Sequence, residues 1–280
     1  INNPFSFLQK VGGFSTFSTL LFSGLLLEKK QIKSDLPWLI FSLFFSTYYL
    51  YSLGGRLSMV AFFTVLVLGC IFYRYQNRIT IGLIIKIGTV TIGTILGLYY
   101  ITNIFTRASM NFSLIDFFIH ELSFPFASFK MVYDFPGIFL YKHVLLAFLY
   151  FLPTTIWSSK LGFDTATSFN TFLYMGARKG ENGVTGSVPL DMLSFSWLEG
   201  GSCGVLIIGM LFGILLGILE KKIDDIPNEG VKAFIFSYIA IHFAVIAVNY
   251  GDTVHVIQGD FAFIIGFIIL MFFLEKRHIG

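Results

Sequence analysis

The dominant pattern along this chain is a recurring uninterrupted apolar run, each followed by a short polar connection. About 20 predominantly apolar residues cross roughly 30 Å of hydrocarbon as an α-helix. Such runs are read at Lys10–Leu27, Leu36–Leu53, Leu57–Tyr73, Ile79–Ile101, Gly201–Leu219 and Val231–Tyr250, with a shorter, very apolar one at Phe261–Leu274. Strands of a membrane barrel would instead alternate apolar and polar positions in segments of about ten residues. The run Leu57–Tyr73 is continuous, so the pattern predicts helices whose backbone groups are paired internally. The expected fold class is an all-α, multi-span helical bundle.

The connections set an orientation. Glu28-Lys29-Lys30-Gln31-Ile32-Lys33, Arg74-Tyr75-Gln76-Asn77-Arg78, Glu220-Lys221-Lys222 and Glu275-Lys276-Arg277-His278 are short and basic. Short basic loops stay in the cytoplasm. The turn Gly54-Gly55-Arg56, the stretch from about 102 to 200, and Gly251–Asp260 are then expected outside. The chain thus divides into N-terminal spans (1–101), one large outer loop (102–200) and C-terminal spans (201–280). Ile138–Trp157 is apolar enough to cross, but a single crossing would invert everything after it and put Lys221, Lys222, Lys276 and Arg277 outside. It is therefore expected to lie in the interface or dip in and out, broken by Lys142, His143 and Pro153.

Composition agrees. Only 12% of residues are charged and 55% are hydrophobic, half the charge that a water-facing domain of this length carries. A net charge of +3 reflects topology, and no basic stretch interleaved with aromatics suggests nucleic acid. Cys70 and Cys203 lie in separate apolar runs, and no disulfide between them is expected. The chain opens on Ile1 rather than Met, so it is expected to be a piece of a longer protein. Gly209, Gly213 and Gly217 repeat every four residues, a spacing that lets helices approach closely.

Candidate chemistry gathers on the outer side. Arg56 follows Gly54-Gly55; it either snorkels to water or offers its two-pronged fork to a diphosphate. Arg107, just beyond the fourth run, either binds a lipid-linked phosphate or pairs with Asp116 or a headgroup. His120, beside Glu121, is a candidate general base or an inert surface histidine. Arg178-Lys179, in the Gly-rich loop around Gly180 and Gly183, either binds an anion or forms a solvated turn with Glu181. Glu199 precedes Gly200-Gly201 and is read as opening a helix, where the dipole favours a carboxylate; it is also a catalytic or substrate-orienting candidate. No spacing of His, Cys, Asp and Glu resembles a metal site, and no metal or cofactor is expected.

Taken together, Gly54-Gly55-Arg56 opening a helix, the basic turn, the large outer loop, and Pro189 followed by Glu199-Gly200-Gly201 and Gly204 resemble the Wzy-type O-antigen polymerases and, more distantly, the O-antigen ligases. The resemblance covers about Leu36 to Lys222. It implies a fold like the GT-C-type polymerases and ligases, in the bacterial inner membrane with its active site facing the periplasm. It implies metal-independent, inverting glycosyl transfer between undecaprenyl-diphosphate-linked oligosaccharides, with a chain-length regulator as a possible membrane partner. Arg56, Arg107 and Arg178 would then meet the departing diphosphate, and His120 or Glu199 would act as base. A ligase, or a flippase for lipid-linked oligosaccharides, is the alternative. A flippase would keep ionisable residues inside its spans, whereas here Arg and acidic side chains avoid the span centres.

Overall fold

A computed structural model describes residues 11–28, 32–52, 56–75, 80–105, 113–153, 155–184 and 186–279. All regular structure among them is helical. The helices are α1 (Phe14–Glu28), α2 (Ile32–Ser52), α3 (Arg56–Tyr75), α4 (Ile81–Phe105), α5 (Leu114–Tyr133), α6 (Lys142–Leu145), α7 (Ala166–Met175), α8 (Met192–Asp224), α9 (Glu229–Ile239), α10 (Thr253–Gly259) and α11 (Phe261–Ile279). Helix α9 continues through a π-helical turn at Ala240–Ile246 into Ala247–Asn249.

Among the described residues, three helical stretches are long and apolar enough to cross a membrane: Ser58–Tyr75, Met192–Asp224 and Glu229–Asn249. A fourth span is possible if α10 and α11, bent by 63° at their junction, count as one. Helix α1 and the 81–94 part of α4 are apolar but shorter than a span. Helix α2 starts with Lys33, Asp35 and Pro37 and is rich in hydroxyls, which lowers its hydropathy. These features fit a helical membrane protein. Large apolar side chains stand exposed on α2 (Ile40, Phe44, Tyr48) and α8 (Leu206, Met210), as lipid-facing surfaces do.

The chain forms two compact units. One holds Lys10–Phe117, Leu219–His242 and Ala262–Gly280. Its helices meet through small residues and hydroxyls, which let backbones close in without water. At the crossing of α1 and α9, a Cβ on Gly24 would stand 2.4 Å from the Val231 nitrogen, and one on Gly230 would stand 2.1 Å from the Gly24 carbonyl oxygen. Phe234 lies over Gly69 of α3, and Phe17 over Gly266 of α11. Buried hydroxyls bridge the helices: Thr19 Oγ1 and Ser46 Oγ at 2.9 Å, and Ser237 Oγ donating to the Val65 carbonyl at 2.9 Å. The regular stripe Gly209, Gly213, Gly217 behaves differently from expectation. No described atom outside the helix comes within 4 Å of a Cβ at any of the three, and only 11% of the most apolar window of α8 is buried.

The other unit holds Phe118–Ile218 and Phe243–Phe261. Its core joins Val132, Ala166, Leu190, Phe195 and Leu198, with Phe135, Phe139 and Phe169 packed against them. The loop expected at 102–200 contains the 20-residue helix α5, whose apolar positions are interrupted by Asp116, His120, Glu121 and Lys130. The stretch 138–157 is broken, as its polar punctuation suggested: α6, a 3-10 turn at Ala147–Phe151, then a π-helical turn at Thr155–Lys160. Among the described residues of this stretch, no helix is long enough to span.

Candidate functional site

The site lies where α8 breaks. Gly200 and Gly201 leave helical geometry, and Gly201 has a φ of 61°, a conformation that glycine adopts without steric penalty. A Cβ on Gly204 would stand 2.1 Å from the Ser196 carbonyl oxygen, and one on Gly200 would stand 2.7 Å from the Tyr141 hydroxyl. Gly200, Gly201 and Gly204 are thus what the break requires. Glu199 consequently ends a short helix of residues 192–199 rather than opening one, and the dipole of its own helix does not stabilise it. The start of α8 is capped by buried Asp191, whose Oδ1 accepts from the Leu193 and Ser194 amides at 3.0 Å.

The frayed carbonyls before the break are taken up by another strand of backbone. The Phe139 amide donates to the Leu198 carbonyl at 2.9 Å, and the Tyr141 amide to the Glu199 carbonyl at 3.1 Å. To do this, Leu140 and Tyr141 adopt φ of 52° and 60°, a left-handed conformation costing non-glycine residues about 1–3 kcal/mol each. That geometry turns the chain into α6 and brings His143 onto Glu199. The His143 amide donates to Glu199 Oε2 at 3.0 Å, and its ring Nδ1 lies 2.5 Å from Oε1. Glu199 is fully buried and His143 is 3% exposed; the imidazole also meets Phe139 edge-on at 4.8 Å. A carboxylate on Nδ1 selects the tautomer that carries its proton there, which leaves Nε2 as the basic nitrogen.

A second buried carboxylate supports the pair. Asp252 caps α10 by accepting from the Val254 amide at 3.0 Å, and it accepts from the Thr167 amide in the first turn of α7 at 2.7 Å. One side chain thus serves two helix N-termini, where negative charge is favoured. The neighbouring Thr253 hydroxyl donates to the His143 carbonyl at 3.2 Å, and Gln258 reaches the Tyr150 carbonyl at 3.3 Å. Tyr150 is buried against Trp157. Burial, then the charges of Asp252, Glu199 and Asp164, hold its phenol well above the usual tyrosine range, so Tyr150 stays a neutral hydroxyl. Replacing Asp252 with alanine strands two amide donors and is expected to cost about 2 kcal/mol. Thermal unfolding in detergent checks this, and Asp252→Asn, which keeps an acceptor, should recover part of the loss.

The residues singled out from sequence distribute as follows. Glu199 sits at the centre of the buried pair. Arg178 is about half exposed, its guanidinium 3.0 Å from Asp164 Oδ2, while its amide donates to Glu181. Arg178 therefore has a partner already, yet remains open to solvent. Arg56 is the first residue of α3 and His120 lies on α5; the side chains of both, and Arg107 entirely, lie outside the described residues. Among the described residues no group of His, Cys, Asp and Glu could hold a metal. Sequence reasoning missed His143 as a site residue and Asp252 altogether. The available signals were a histidine inside an apolar run, where an ionisable group needs a partner, and the capping pattern Gly251-Asp252-Thr253. In comparisons with known proteins, no family model, curated protein or solved structure matches the chain.

Proposed function

We propose that this protein is a glycosyltransferase that joins lipid-diphosphate-linked oligosaccharide units at the outer face of a bacterial inner membrane, with His143 as general base oriented by Glu199. The buried carboxylate–imidazole pair beside a membrane-length helix is the observation that carries this reading. An acceptor sugar hydroxyl gives its proton to His143 Nε2 as its oxygen attacks the donor's anomeric carbon. The carbon–oxygen bond to the diphosphate breaks, and the lipid diphosphate departs with the electron pair. Cations are needed on that leaving group; Arg178 is the described candidate, and Arg56 and Arg107 remain the further candidates that the sequence supplies for the same role. His143 takes the role that the sequence reading gave to His120. The basic connections around Lys221 and Lys276 support placing 102–200 on the opposite, periplasmic side.

The near-complete burial of both partners favours a second reading, in which the pair is a polar clasp holding the break in α8. Purified protein incubated with undecaprenyl-diphosphate-linked repeat units tests the proposal. A gel ladder of lengthened product is expected; transfer of one finished chain to a lipid A core acceptor would instead indicate a ligase. No transfer to either acceptor would reject glycosyl transfer.

A further inference from the structure

Two buried donors in the unit that holds the His143–Glu199 pair have no acceptor. Tyr150 is 2% exposed and Trp157 is 4% exposed, and their rings meet edge to face at 5.1 Å. The Trp157 indole nitrogen is buried and donates no hydrogen bond. At Tyr150, Gln258 bonds the backbone carbonyl, and the hydroxyl has no hydrogen-bond partner among the described residues. Burying such groups unpaired costs stability, and a phenylalanine would fill the place of the phenol without that cost. Polar groups kept unpaired in an interior point to something that completes them.

One short helix fixes this pair of rings relative to the base. From α10, the Thr253 hydroxyl donates to the His143 carbonyl at 3.2 Å and the Gln258 amide to the Tyr150 carbonyl at 3.3 Å. The charges that act on the phenol are all negative, those of Asp252, Glu199 and Asp164. A diphosphate is repelled by that field. An uncharged sugar is not, and its hydroxyls both accept and donate, as a phenol and an indole N–H require.

We propose that Tyr150 and Trp157 belong to the subsite for the acceptor sugar, with the Tyr150 hydroxyl bonded to a sugar oxygen near the hydroxyl that His143 deprotonates. The inference rests on the transfer reading above and names which half of the reaction this side of the dyad receives. The lipid diphosphate of the donor is held elsewhere. Binding of this kind acts on ground state and transition state alike, so its loss raises KM and leaves kcat largely intact.

Tyr150→Phe provides the test, because it keeps the ring against Trp157 and removes only the oxygen. Thermal unfolding of the full chain in detergent should be unchanged or slightly later, since no protein partner is lost. In the transfer assay, the KM for undecaprenyl-diphosphate-linked repeat units should rise about tenfold. Inhibition by undecaprenyl diphosphate without sugar should stay as in the wild type. Trp157→Phe, which removes the other donor, should move the same KM in the same direction. An unchanged KM in folded Tyr150→Phe would overturn the subsite and leave the transfer reading intact. Weaker inhibition by the sugar-free diphosphate would overturn it too, by assigning the hydroxyl to the leaving group. A wild-type protein that transfers no glycan would reject the reaction and the subsite together.

Discussion

Glu199→Gln is expected to leave the protein folded and to lower glycosyl transfer by about 10²–10⁴-fold. The amide keeps an oxygen that can accept from the His143 backbone, so the join between α6 and the break in α8 persists. Its NH₂ group, however, faces ring Nδ1 as a donor, which turns Nδ1 into an acceptor and moves the ring proton to Nε2. The base is then blocked at the atom that must receive the hydroxyl proton. Glu199→Ala should lose activity equally and also stability, by about 3 kcal/mol, because two donors of His143 are left buried without an acceptor. His143→Ala should match Glu199→Gln in activity. A ladder of normal length from folded Glu199→Gln would refute the base role and leave the clasp reading standing.

Gly230→Ala is expected to be the most damaging single-methyl change in the other unit. Its Cβ would stand 2.1 Å from a backbone oxygen of Gly24, and a backbone atom cannot rotate away as a side-chain tip can. Helices α1 and α9 must separate, at a cost of about 2–4 kcal/mol. Gly213→Ala, of the same chemistry, meets nothing within 4 Å and should be neutral or stabilising by up to about 1 kcal/mol, since alanine is the better helix former. Thermal unfolding of the two variants side by side decides the matter; equal shifts would mean that the α1–α9 crossing is looser than its geometry indicates.

That contrast also shows what was legible in the sequence. Helix positions followed directly from apolar run length, because a hydrocarbon solvent imposes one periodicity and one approximate length. Leu57–Tyr73 became Arg56–Tyr75, and Gly201–Leu219 became the second part of α8. Helix contacts were not legible. The glycines that seat neighbouring helices, at 24, 69, 230 and 266, follow no repeat, while the regular repeat at 209, 213 and 217 seats none among the described residues. Spacing reports which face a residue lies on, not what lies opposite. The site was half legible for the same reason. Glu199 stood out by its glycine neighbours, but its partner is 56 positions away and reaches it only through the left-handed turn at Leu140-Tyr141, which no local preference of leucine or tyrosine announces.

The double role of Asp252 has a consequence for biogenesis. Its carboxylate ties the beginning of α10 to α7, and Thr253 beside it holds the carbonyl of His143. The dyad is therefore braced by a segment that leaves the ribosome more than fifty residues after Glu199. A nascent chain stalled before residue 250 would already carry His143 and Glu199, yet the ground on which the imidazole rests would be missing, and maturation of the centre must await the segment that follows.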